Sequence, residues 1–121
     1  MKEEVTKFKP IQLMGNGKTY ILDFDRDAVL WAEEELDFSI DDLKAKKPLS
    51  STSKLFYISF HRRYPDEFTK EETDKIFFDE IPSDKRQGII ANLIGLYVQT
   101  YNLLFDANED ETKNSPWSVK M

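Results

Sequence analysis

The sequence predicts an α+β fold in which one N-terminal β-hairpin packs on a mainly α-helical domain of four to five helices. Three observations lead to it. Apolar residues alternate with period two on both sides of Gly15-Asn16-Gly17. A series of Ser, Thr and Asp residues stand where helix caps would be, each ahead of an apolar run. A long stretch from Asp84 to about Phe105 carries apolar side chains at helical spacing.

The hairpin comes first. Ile11 and Leu13 alternate on the near side of the turn, and Tyr20, Leu22 and Phe24 alternate with Ile21 and Asp23 on the far side. Period two is the mark of a half-buried strand. Asn-Gly supplies the left-handed backbone that a tight hairpin turn demands, and Pro10, which has no ladder donor, suits the start of an edge strand. The same stretch reads Met14-Gly-Asn-Gly-Lys-Thr-Tyr20 and so ends in the Gly-Lys-Thr of a phosphate-binding loop. That loop needs a glycine five residues before the second one, where this chain has Gln12. It also needs a helix directly after the lysine to aim backbone N–H groups at phosphate. Both requirements fail, so the motif is a hairpin tip.

Helices follow. Asp25 is placed to cap Arg26–Glu35, with Val29, Leu30 and Trp31 on the apolar side. Ser39 caps a short turn over Ile40–Lys46, with Asp42 at the capping-box position. Lys44–Ser53 reads as a loop whose serines cap a third helix, about Thr52 to Arg63, which Tyr64-Pro65 ends. Thr69-Lys-Glu-Glu72 is a capping box ahead of Ile76, Phe77 and Phe78. In the last helix Ile90, Ile94, Tyr97, Tyr101 and Leu104 form one stripe, and Ile89, Leu93, Leu96 and Leu103 form a second beside it. Such a wide apolar surface predicts burial on two sides, with this helix at the centre of the fold. Residues 1–7 are expected to be a flexible start, 8–105 a single domain and 106–121 a mobile tail.

Composition narrows the function. The chain has 121 residues and 13% aromatics, enough for one core and too many for a disordered chain. It has no cysteine, which excludes disulfides, thiolate metal sites and thiol nucleophiles. The net charge of −6 opposes the phosphate attraction that underlies nucleic-acid binding. The apolar run Gly88–Val98 contains Asn92 and is too short to cross a bilayer.

Candidate chemistry is sparse. His61 lies near a predicted helix C-terminus, where a cationic side chain favours the helix dipole. A catalytic histidine would need a nucleophile or an orienting partner that no motif identifies. Arg62-Arg63 between aromatics could stack on RNA, a weak signal in a net-negative chain. Glu33-Glu34-Glu35 fan around their helix axis and cannot converge on a metal. Asp106–Glu111 lacks the glycine and the final glutamate of a calcium loop. No catalytic, metal or cofactor residue is therefore expected, and the chain is read as non-enzymatic.

The order of elements carries a resemblance. A hairpin with Gly-Lys-Thr-Tyr at its turn is followed by Ala28-Val-Leu-Trp-Ala-Glu-Glu-Glu35. Then come Leu55-Phe-Tyr-Ile-Ser-Phe-His-Arg-Arg-Tyr-Pro-Asp66 and Phe68-Thr-Lys-Glu-Glu72 leading into Ile76-Phe-Phe-Asp-Glu80. From Ile11 to Glu80 this resembles the small tail assembly chaperones of long-tailed, siphovirus-like phages and prophages of Gram-positive bacteria. The resemblance implies a protein that coats the aggregation-prone tape measure protein before the tail tube polymerises around it. It implies the tape measure protein as partner, with the tail tube protein and self-association as further contacts. It also implies the bacterial host cytoplasm as location, absence from the mature virion, and no nucleic-acid or membrane partner. On the long helix Leu93, Leu96, Tyr97 and Tyr101 are the candidate partner-contact residues, with core packing the competing assignment for each. The alternative function is a small acidic regulator or inhibitor acting by protein–protein binding, although its acids are interleaved with 17 basic residues rather than clustered.

Overall fold

A computed structural model describes residues 8–44 and 48–104. Two antiparallel strands, β1 (Ile11–Gly15) and β2 (Lys18–Leu22), pair with Leu13 opposite Tyr20 and Gly15 opposite Lys18. Asn16 (φ 52°) and Gly17 (φ 75°) are both left-handed, which is type I′ turn geometry. The Gly-Lys-Thr thus opens a strand rather than a helix. Ile11, Leu13, Tyr20 and Leu22 share one face by this register and meet the core; Gln12, Met14 and Thr19 lie on the other and are exposed.

Helix α1 (Arg26–Glu35) starts where its cap predicts, with the Asp25 carboxylate accepting from the Ala28 N–H at 2.9 Å. It ends without a glycine. Asp37 takes the left-handed conformation (φ 53°), and the Phe38 N–H returns to the Ala32 carbonyl at 3.0 Å. Lys54 reaches across from the next helix to the Leu36 carbonyl at 3.1 Å. A 3-10 turn over Ile40–Lys44 follows, with the Ser39 N–H donating to the Asp42 carboxylate at 2.9 Å.

Helix α2 (Pro48–His61) begins four residues before the Thr52 start expected from the serines. Proline at the first position explains the difference, because its fixed φ suits a helix and its missing N–H would have no partner there anyway. Helix α3 (Lys70–Lys75) carries both bonds of the capping box between Thr69 and Glu72. It runs into a π-helical turn, Ile76–Glu80, closed by the Ile81 N–H on the Ile76 carbonyl at 2.8 Å. Arg86 covers the exposed carbonyls of this turn, donating from Nε to Phe77 at 2.9 Å and from Nη2 to Phe78. Helix α4 (Ser83–Leu103) is the longest element.

The centre of the fold is α2, not α4 as the apolar stripes suggested. Helix α2 packs against β2, α1, α3, α4 and the 3-10 turn, and Leu55, Phe56, Ile58 and Phe60 are sealed. Leu55–Phe60 has almost no polar face, so every direction around it must be covered. Burying each such side chain contributes about 1.5–3 kcal/mol. Helix α4 is covered on two sides in a different way. One side gives Leu93, Leu96 and Tyr97 to the core. The other is crossed by the segment before β1, where Phe8 lies against Gly95, its N–H donates to Gln99 at 2.9 Å, and Asn92 donates to the Lys9 carbonyl at 2.9 Å. The flexible start over 1–7 and the mobile tail over 106–121 concern segments outside the described residues. Among the described residues no helix is long and apolar enough to cross a membrane.

Candidate functional site

The residues with the richest chemistry are tied to one another. Asp23 follows β2 and is buried; its backbone N–H donates to the Ser59 carbonyl at 3.3 Å. Its carboxylate accepts from Arg62 Nη1 at 2.7 Å and from Arg63 Nη2 and Nε at 3.0 and 3.2 Å. Arg62 also approaches Asp25 at 3.6 Å. Hydrogen bonding to Asp23, and then its charge, hold the Arg63 guanidinium above its ordinary pKa. The basic pair that could have met RNA is turned onto this carboxylate. Its effect is to bolt the end of β2 to the end of α2. The sequence did not show this, because Asp23 sits at an alternating strand position some forty residues from its partners.

His61 ends α2, as the sequence indicated, and stacks flat on Trp31 with ring centroids 3.8 Å apart and planes 9° from parallel. Tyr57, Phe60, Tyr64, Pro65 and Phe68 line a shallow depression beside the pair. A second cluster joins α2 to α3: Ser53 donates to Asp74 at 2.5 Å, and Lys70 donates to Ser53 and, at 3.0 Å, to Asp74. Serine beside lysine is a nucleophile–base pairing in some hydrolases. Here the Ser53 hydroxyl donates to Asp74 and Lys70 donates to both, so the three side chains join α2 to α3. The cluster is a clip between helices.

Of the four candidate contact residues, Leu93, Leu96 and Tyr97 are buried in the core and Tyr101 is half-buried beside it. They do not form one exposed surface. The Tyr97 ring meets Phe24 and Phe38 edge-on at 5.1 and 5.4 Å. Its hydroxyl is buried without a partner among the described residues. Burial, followed by the charge of Glu33, pushes the phenol above its ordinary pKa.

Another surface, beside the hairpin, is open. Between the hairpin and the π-helical turn lies a groove of about 270 Å³. Leu13, Met14 and Gly15 flank one side, Ile76, Glu80 and Ile81 the other, and Phe60 and Tyr20 lie between. Met14 is 73% exposed at its rim. Beside the groove runs a free strand edge. In a two-residue hairpin the residues flanking the turn exchange both backbone bonds, so the bonded pairs are Gly15–Lys18, Leu13–Tyr20 and Ile11–Leu22. The peptide groups of Gln12, Met14, Thr19 and Ile21 then point outward. On β2 the outward Ile21 N–H is taken by Tyr64 Oη at 2.8 Å. On β1 those of Gln12 and Met14 meet no partner among the described residues. Residues Ile11–Gly15 carry no charge in a chain that is 33% charged. Charged side chains and prolines are how edges are usually protected, and only Pro10 stands at this one. Sequence reading found the hairpin but not the groove, whose far wall comes from residues more than sixty positions away.

The described residues define a small α+β protein with polar clusters that tie its elements together and an open, mainly apolar groove between the hairpin and the π-helical turn. The model of the family described as a domain of unknown function, DUF5055, matches residues 5–121, and the chain belongs to that family. No curated protein and no solved structure matches the chain.

Proposed function

We propose that this chain is a non-enzymatic tail assembly chaperone of a long-tailed phage or prophage, acting in the host cytoplasm to keep the tape measure protein soluble during tail morphogenesis. The resemblance from Ile11 to Glu80 supplies the client, and the groove between the hairpin and the π-helical turn is the observation that carries the reading. Its walls are mainly apolar, it is open, and Met14 stands exposed at its rim. An aggregation-prone client with repeated apolar segments needs such a receptor in many copies. Each copy can bind weakly, because neighbouring copies on one long client raise the effective concentration. The net charge of −6 keeps the coated client soluble.

Co-expression with the long, helical tape measure protein of the same genome tests this, by pull-down and mass measurement at low and moderate salt. The expected result is a soluble complex with several copies of this chain, retained as salt rises because apolar contacts are not screened. Identical aggregation of the long protein with and without this chain would overturn the reading. A complex lost on raising the salt would point to charge-driven binding and overturn the groove's part in it.

A further inference from the structure

The two edges of the hairpin are unlike. On β2 the outward Ile21 N–H is taken by Tyr64 Oη at 2.8 Å, and the Asp23 N–H just beyond donates to the Ser59 carbonyl at 3.3 Å, so that side is closed. On β1 the outward groups of Gln12 and Met14 have no partner among the described residues. Both side chains are exposed, and no residue of Ile11–Gly15 is charged.

The open edge is complementary to itself. Its outward groups stand one residue on either side of Leu13. When two copies run antiparallel with Leu13 opposite Leu13, Gln12 of each copy faces Met14 of the other, and each such pair exchanges two backbone bonds. A one-residue shift sets outward groups against inward ones. Setting Gln12 against Gln12 puts Met14 opposite Pro10, which has no N–H, and setting Met14 against Met14 puts Gln12 opposite the left-handed Asn16. The side chains agree with the Leu13 register. Leu13 meets Leu13 on the face that carries the groove, Met14 lies beside Gln12 on the other, and no like charges stand opposite each other. Lys9, which is exposed, comes to the turn of the other copy, where Glu80 is the one charged residue among those lining the groove.

We propose that two copies of this chain pair antiparallel through β1 about a two-fold axis at Leu13, joining their hairpins into one four-stranded sheet. Both outer edges are then β2, closed by Tyr64, so the assembly stops at two copies. The two grooves come to lie on the same face of that sheet. A strand edge with few side chains belongs with interfaces below about 1,200 Å², which associate weakly and reversibly. The pairing rests on the bond phase of the hairpin and not on the client proposed above.

Sedimentation and amide exchange on the full chain across a wide range of concentration test it, with Gln12→Pro as the variant. Proline there deletes an outward donor and leaves every bond within the hairpin in place. The mass should rise from one chain toward two, and the Gln12 and Met14 amides should exchange about tenfold more slowly at the high end. The Leu13 and Tyr20 amides, paired within the hairpin, should exchange alike throughout. Gln12→Pro should stay a single chain with Leu13 and Tyr20 still protected; if that protection is lost, the two measurements on the natural chain decide alone. A natural chain that stays single, or that pairs without slowing Gln12 and Met14, would overturn the proposal. Growth beyond two chains would overturn the closed pair. No client is present in these measurements, so their failure and that of the chaperone reading are separate results.

Discussion

Replacing Tyr97 by phenylalanine removes one oxygen from the middle of the core and leaves the ring in place. The ring contacts with Phe24 and Phe38 persist, at centroid distances of 5.1 and 5.4 Å. What disappears is a buried hydroxyl without a partner among the described residues. Leaving such a group unsatisfied costs about 1–3 kcal/mol. Against this stands the void left by the oxygen, of about 10–15 Å³, which costs about 0.3 kcal/mol. The variant should therefore gain about 1 kcal/mol, read as a higher urea midpoint at constant slope and a melting temperature up by about 4 °C. A pH series sharpens the test. Burial raises the folded-state pKa of this phenol. Its contribution is complete below the unfolded value of about 10 and is lost as pH rises beyond it, with a slope approaching about 1.4 kcal/mol per pH unit. The advantage of Tyr97→Phe over the natural chain should widen above about pH 10. A destabilised variant would show that the hydroxyl has a partner, and the reasoning would fail.

Three further substitutions probe the ties between elements. Asp23→Asn keeps the shape of the buried side chain but removes the charge that holds Arg62 and Arg63; the urea midpoint should fall, and the losses from Asp23→Asn and Arg62→Ala should be less than additive in a double-mutant cycle. Thr69→Ala removes one half of the capping box and should cost about 1 kcal/mol, an expectation that an unchanged urea midpoint would refute. Gly95→Ala places a methyl group 2.5 Å from the Phe8 ring. It should displace the segment before β1 from α4, so the Phe8 amide exchanges faster while those of Leu93 and Tyr97 keep their protection.

Much of the fold was legible because it depends on neighbours in sequence. A left-handed Asn-Gly pair, an Asp cap three residues before the N–H that donates to it and a Thr–Glu capping box are local contacts, and each stands where its residues indicated. Proline at the start of α2 was a local signal too, but the serines competed with it. Helix α1 ends on left-handed Asp37, which a search for glycine does not find. The two helices richest in apolar residues raised a harder question. Periodicity reveals that a face is apolar but not what covers it, so α4 was placed at the centre that α2 occupies.

By itself, the sequence determined the hairpin, the helices with local caps and the failure of the phosphate-loop motif. These follow from backbone dihedral preferences and from hydrogen bonds spanning three or four residues. Tertiary structure alone decided that Asp23 clamps Arg62 and Arg63, that Ser53 joins Lys70 and Asp74, that Leu93, Leu96 and Tyr97 belong to the core, and that a groove opens between β1 and the π-helical turn. Each of these brings together groups far apart along the chain. Which groups meet depends on how whole elements share one interior, and no local pattern encodes that choice.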